Sequence, residues 1–273
     1  MPIKVYSKSK GWVQLKASFE KNWIHYLQEA LGLAIFMISA CFFSALFWGN
    51  DSTFHFSFSN DITRNIVNGI LMGATALFIF YSPFTAPSGS HINPAVTITF
   101  LRLNKMCRYD ALFYIIFQFI GGTVAVFISA ALLGKPLTNA PVNYAVTVPG
   151  KFGVAAAAIT EYIIAIIMMT MVLFTSQHRI LKKYTRIIAG CFVCLNVVFA
   201  GPISRFGMNP ARSFASAFPA HIYTAFWIYL FIPFAGMLSA AEIFLFVERR
   251  KSSLKTKIII QNEITSKQKN IIV

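Results

Sequence analysis

The sequence predicts an all-α membrane protein: six transmembrane helices plus two re-entrant half-helices, arranged as an inverted 3+3 repeat. Three observations predict it. The 273-residue chain is 56% apolar and only 12% charged, with a mean hydropathy of +0.63, whereas an average soluble domain carries about 25% charge. Its apolar residues fall into runs long enough to cross a bilayer, which takes ~20 residues. The tripeptide Asn-Pro-Ala occurs twice, at 93–95 and 209–211, each time after a long apolar run and before another. The composition argues against a soluble enzyme, a disordered chain and a disulfide-stapled module.

The runs can be taken in order. The first extends from about Ile24 to Trp48 and is interrupted only by Glu29. The second, Ile66 to Pro87, and the third, Ala111 to Leu133, contain no charge. The fourth, Val154 to Ser176, contains only Glu161. The fifth spans Tyr184 to Ile203, and the sixth spans Tyr223 to Val247 with Glu242 inside it. No apolar run of its own precedes Trp23, so the first long segment is expected to direct insertion.

The formal charge of +15 does not point to nucleic acid, because the basic residues sit between the apolar runs and not on a face of their own. Nineteen of the 24 Lys and Arg lie in the N-terminal segment, the links before spans three and five, and the C-terminal segment. Positive residues favour the cytoplasmic side, so both termini are expected there. The chain divides into a cytoplasmic segment 1–22, a membrane domain 23–248 and a basic tail 249–273. The membrane domain itself reads as repeats 23–134 and 153–248. The tail can meet anionic lipid heads or stay solvated. Cys41, Cys107, Cys191 and Cys194 show no metal-ligand spacing, and Cys191–Cys194 sits inside an apolar run, where packing is the expected role. No metal, cofactor or catalytic constellation is expected.

The two leftover segments carry the function. Residues 88–95 read Ser-Gly-Ser-His-Ile-Asn-Pro-Ala and residues 206–212 read Phe-Gly-Met-Asn-Pro-Ala-Arg. The apolar tail after each is too short to cross a bilayer, yet Asn suits a helix N-cap and Pro the first helical position. Two helices of ~10 residues placed end to end match one hydrocarbon thickness. Glu29 and Glu161 stand early in the first span of each half, so the chain reads as two copies of helix, helix, half-helix, helix. Three crossings per copy make the copies antiparallel, and interrupted segments at matching places point to a conduction site at mid-membrane.

These paired motifs, with Ser-Gly-x-His before the first and Arg-Ser after the second, resemble the aquaporin (major intrinsic protein) family between Ile24 and Val247. The resemblance implies that Asn93, Pro94, Ala95, Asn209, Pro210 and Ala211 meet in a pore. The asparagine side-chain oxygens would cap the half-helices while the NH2 groups face the passing water. Arg212 would line an outer constriction with Phe206, Val197 and either Met72 or Gly73. Glu29, Glu161 and His91 would brace the loops. The carbonyls of Gly89, Ser90, His91, Ile92, Arg205, Phe206, Gly207 and Met208 would then face the pore. The expected function is passive water conduction without protons or ions. The family's strict water channels commonly place His and a small residue where Val197 and Phe206 stand, which leaves glycerol and other small neutral solutes open. Ser213, where glycerol facilitators carry Asp, leans toward water. A coupled transporter would also use an inverted repeat, but it needs acids free for ion coupling. Partners implied are water, small neutral solutes, the bilayer of the cell membrane and three further copies in a homotetramer.

Overall fold

A computed structural model describes residues 11–50 and 60–271, with side chains described as far as Ser253. The N-terminal residues 1–10 of the expected cytoplasmic segment lie outside the described residues. Eight principal helices follow in order: α1 (Gly11–Trp48), α2 (Asp61–Tyr81), α3 (Pro94–Arg102), α4 (Arg108–Leu133), α5 (Gly153–Gln177), α6 (Thr185–Phe199), α7 (Pro210–Ala220) and α8 (Phe226–Ile271). Helices α1, α2, α4, α5 and α8 are each long and apolar enough to cross a membrane, and α6 is a shorter apolar helix. With α3 and α7 as half-helices, this is the six-span, two-half-helix architecture.

The helix ends differ from the sequence boundaries for local reasons. Helix α1 is already formed at Gly11, well before Ile24, because its polar first turns are tied down. Tyr26 Oη donates to Asp110 Oδ1 at 2.6 Å, Asn22 Nδ2 donates to the same oxygen at 3.0 Å, and Ser18 Oγ donates to it as well. Helix α2 starts five residues early because Asn60 Oδ1 accepts the Ile62 N–H at 2.8 Å. It stops at Tyr81 because Ser82, which precedes Pro83, is extended. The fifth span is broken: α6 ends at Phe199 and a separate turn, Gly201–Ser204, holds Pro202. Proline has no N–H to continue the ladder. At the far end α8 runs past Glu248 without a break, so residues set aside as a tail are helical to Ile271.

The two repeats interlock. Within each, the first and last long helices pack together, α1 on α4 and α5 on α8. Across the repeats, α2 packs on α6, α3 on α8 and α7 on α4, so each half-helix rests on the last long helix of the other repeat. In lipid the drive for such packing is close contact, and small residues supply it. A Cβ on Gly121 would fall 2.3 Å from the Ala30 carbonyl oxygen. One on Gly69 would fall 2.8 Å from the Cys194 carbonyl oxygen, and one on Gly190 would fall 2.5 Å from Leu77. The outer surface is apolar, with Ile70, Ile120 and Phe231 exposed, while Glu29, Gln118 and Glu161 are fully buried. That is the distribution a bilayer demands of its solute.

Replacing Gly121 by Val pushes a branched side chain into the α1 backbone, an overpacking that typically costs 1–3 kcal/mol. G121V is expected to lower the melting temperature of the detergent-solubilised protein. G201A, where a Cβ meets nothing within 4 Å, is expected to melt with the parent. Equal melting of all three proteins would contradict the α1–α4 packing.

Candidate functional site

The site is built on two fully buried carboxylates. Glu29 on α1 accepts from Ser88 Oγ at 2.6 Å and the His91 N–H at 2.9 Å through Oε1. Through Oε2 it accepts from the Ile92 N–H at 2.5 Å and Gln118 Nε2 at 2.8 Å. Glu161 on α5 repeats the pattern. It accepts from Ser204 Oγ at 2.6 Å, the Gly207 N–H at 2.8 Å and the Met208 N–H at 2.5 Å. A buried carboxylate is costly unless its lone pairs are filled, and free loop N–H groups are costly unless they find acceptors. Each glutamate meets both requirements at once.

This bonding explains the backbone of the loops. Gly89, Ser90 and Ile92 have φ of +93°, +49° and +43°. Their counterparts Arg205, Phe206 and Met208 have φ of +61°, +49° and +44°. Left-handed backbone at non-glycine residues is strained and persists only where the surroundings fix it. Here the carboxylates fix it. With successive N–H groups turned toward the glutamate, the loop offers its other side to the interior.

The loops then deliver the asparagines. Asn93 Oδ1 accepts the Ala95 N–H at 2.8 Å and Asn209 Oδ1 accepts those of Ala211 and Arg212 at 3.1 and 3.2 Å. Pro94 and Pro210 open the two half-helices. The caps form as the sequence predicts, but the NH2 groups are more committed than expected. Asn93 Nδ2 donates to the Met208 carbonyl at 2.8 Å, and Asn209 Nδ2 donates to the Ile92 carbonyl at 2.7 Å. Each amide therefore latches onto the opposite loop with one hydrogen and keeps its second for another acceptor. The two half-helix N-termini, with their positive dipole ends, meet at this crossed pair.

A cavity of about 200 Å³ runs along these groups. Residues 89–92 and 206–208, Asn93 and Asn209 line it, and the remaining lining is mostly apolar, including Phe36, Phe80, Phe100 and Val172. Arg205, Arg212, Val197, Met72 and Gly73 lie outside that lining. Phe206 and Met72 share one buried apolar cluster, with Val197 packed against it. Gly73 does not join them: a Cβ there would meet Cys194 at 2.8 Å and the Gly190 carbonyl oxygen at 3.1 Å, so it faces α6. Of the two candidates on the second span, Met72 is the one that shares a buried cluster with Phe206. Arg212 is buried on α7, and its Nη1 has no protein acceptor. His91 is held between Phe100, at 4.6 Å between ring centroids, and Tyr114 at 5.4 Å, with Nδ1 3.2 Å from Thr97 Oγ1.

Sequence reasoning missed three groups. Ser88 and Ser204 each stand five residues before their asparagine, so a serine at that offset in both copies was the available signal. Gln118 is buried and bridges Glu29 to Thr97 Oγ1, at 2.8 and 3.1 Å. Nothing in an apolar run marks its partner.

Replacing a glutamate by Gln sets an NH2 group against N–H donors and leaves at least one of them unsatisfied, a cost of about 1–3 kcal/mol. E29Q and E161Q are expected to lower thermal stability in detergent. E29D keeps the charge but shortens the reach, and it is expected to recover only part of the loss. Melting curves that superpose on the parent would remove the glutamates from the bracing role.

Residues 16–244 match the Major intrinsic protein family. The probable aquaporin NIP-type of Nicotiana alata is 36% identical over 159 residues, covering 58% of this chain and 57% of that protein. Aquaporin NIP2-3 of Zea mays is 30% identical over 170 residues, covering 62% of this chain and 55% of that protein. The chain spans a little over half the length of these curated relatives. In the solved aquaglyceroporin from Plasmodium falciparum the same fold recurs with a TM-score of 0.68 at 20% identity, over 81% of this chain and 94% of that one. The chain belongs to the major intrinsic protein family.

Proposed function

We propose that the protein is a passive channel for water and small neutral solutes, with a passage that runs between Asn93 and Asn209. The crossed asparagine pair carries this reading. After capping its helix and latching the opposite loop, each amide has one hydrogen left. A water molecule in the gap turns its oxygen to both donors and cannot continue a proton wire through that point. Two facing helix dipoles add a positive potential that opposes hydronium and other cations. Membership of a channel family, and relatives named as aquaporins, support the same reading.

The filter we assign to this passage consists of Arg212, Phe206, Val197 and Met72. The Arg212 guanidinium, with an Nη that meets no protein acceptor, would donate to the permeant's oxygen. Phe206, Val197 and Met72 offer no hydrogen bond and shape the rest by bulk. The mostly apolar lining of the cavity, interrupted by polar loop residues, offers surface to a polyol's carbon chain and partners to its hydroxyls, which supports a solute range beyond water. Coupled transport is less favoured, because Glu29 and Glu161 are engaged by four and three hydrogen bonds and Glu242 pairs with Arg102 at 2.7 Å. We further propose a homotetramer in the cell membrane, with both termini cytoplasmic.

Proteoliposomes holding the full chain are expected to shrink faster than empty vesicles under osmotic shock, with no proton current. Equal rates would remove the channel reading. F206A is expected to raise isotopic glycerol uptake several-fold over the parent. Unchanged uptake would take Phe206 out of the filter.

A further inference from the structure

The lining of the cavity contains a charged group that the family motif does not account for. Arg186, in the first turn of α6, lines the cavity at the end away from Arg212, together with its neighbour Thr185. Its guanidinium carbon lies 5.4 Å from the centroid of the Tyr81 ring, the last residue of α2. Thr185 Oγ1 donates to Thr175 Oγ1 at 3.0 Å and so fixes the start of α6 to the last turn of α5. Three helix ends therefore lie together at this end of the cavity, and the arginine, itself part of the lining, reaches from α6 to the exposed Tyr81 ring on α2. Among the described residues no carboxylate forms an ion pair with Arg186.

An arginine on a ring is held by its plane as well as its charge, and the stack leaves the guanidinium N–H groups free to donate at the ring's rim. A long side chain restrained in this way occupies cross-section that a free one would vacate. Much of the cavity's lining is apolar, Phe80, Phe100 and Val172 among it, so a guanidinium is a conspicuous donor there.

We propose that Arg186, held over Tyr81, is a further specificity-determining residue of the passage and forms a second, size-restricting constriction, at the mouth opposite Arg212, that discriminates among neutral solutes. Tyr81 is a positioning residue that acts through Arg186. The proposal rests on the channel reading above.

The test uses full-length protein in proteoliposomes and measures the ratio of glycerol to water permeability. An exposed cation–ring contact amounts to roughly a two- to fivefold bias toward the held state. Y81L is therefore expected to raise the ratio by about that factor, whereas Y81F keeps the ring and the parent ratio. R186A is expected to raise the ratio further, with R186K between R186A and the parent. The double variant R186A/Y81L is expected to match R186A alone, because Tyr81 has nothing left to hold. If R186A fails to fold, R186K and Y81L still read the same constriction. Ratios equal to the parent in Y81L and in either arginine variant would overturn the proposal and make the pair an interfacial anchor. Additive effects in the double variant would overturn the role given to Tyr81. A parent that conducts no water would instead sink the channel reading and this proposal with it.

Discussion

The structure depends on a carboxylate placed where a carboxylate is expensive. Glu29 and Glu161 are fully buried inside a membrane-spanning bundle, and each is made tolerable by loop N–H groups and a serine hydroxyl that point at it. The dependence is mutual. Without the carboxylates, the left-handed residues of both loops would have no reason to hold their φ values, and the half-helices would have no fixed place to begin. An irregular loop survives at membrane depth only if it is buried in protein or lines a wet cavity. These loops do both, with N–H groups turned to the glutamate and the other side turned to the cavity.

From that constraint the rest follows in order. Braced loops set Asn93 and Asn209 at the start of their half-helices, and crossed amide-to-carbonyl bonds join the two copies. The joint sits on small residues: Ala95, Ala211 and Ala215 are fully buried. Helices α2 and α6 cross next to it on Gly69, Gly73 and Gly190. The repeats are alike in backbone and unlike in detail. Gln118 gives Glu29 a fourth donor and ties it to α3 through Thr97, while the donors to Glu161 among the described residues are Ser204, Gly207 and Met208 of its own loop. His91 fills the space beside one loop, whereas Gly207 leaves that space to the ring of Tyr229.

The sequence carried the architecture well because each of its signals has a direct physical cause. Apolar length reports bilayer thickness, an Asn-Pro pair reports a helix start, and a lone glutamate in an apolar run reports a buried acceptor. Orientation about a helix axis was not readable. A bilayer-exposed face and a packed face are both apolar, so the periodicity that marks a soluble helix is weak here. Met72 and Gly73 differ by one residue, about 100° of rotation, and only packing shows that Gly73 faces α6 while Met72 joins the buried cluster that holds Phe206. Tertiary bonds decided the ends as well. The polar start of α1 is helical because Asp110, far along the chain, accepts from it, and the break in the fifth span comes from Pro202 within an otherwise apolar run.

The central claim is that the two asparagines flank a wet, single-file passage and do not close a dry seam. A crystallographic or cryo-EM map of the protein in lipid, sharp enough to show water, tests it most directly. The account predicts a continuous row of waters through the gap, with one molecule within hydrogen-bond distance of both Asn93 Nδ2 and Asn209 Nδ2. Side chains packed across that gap with no water between the amides would contradict it.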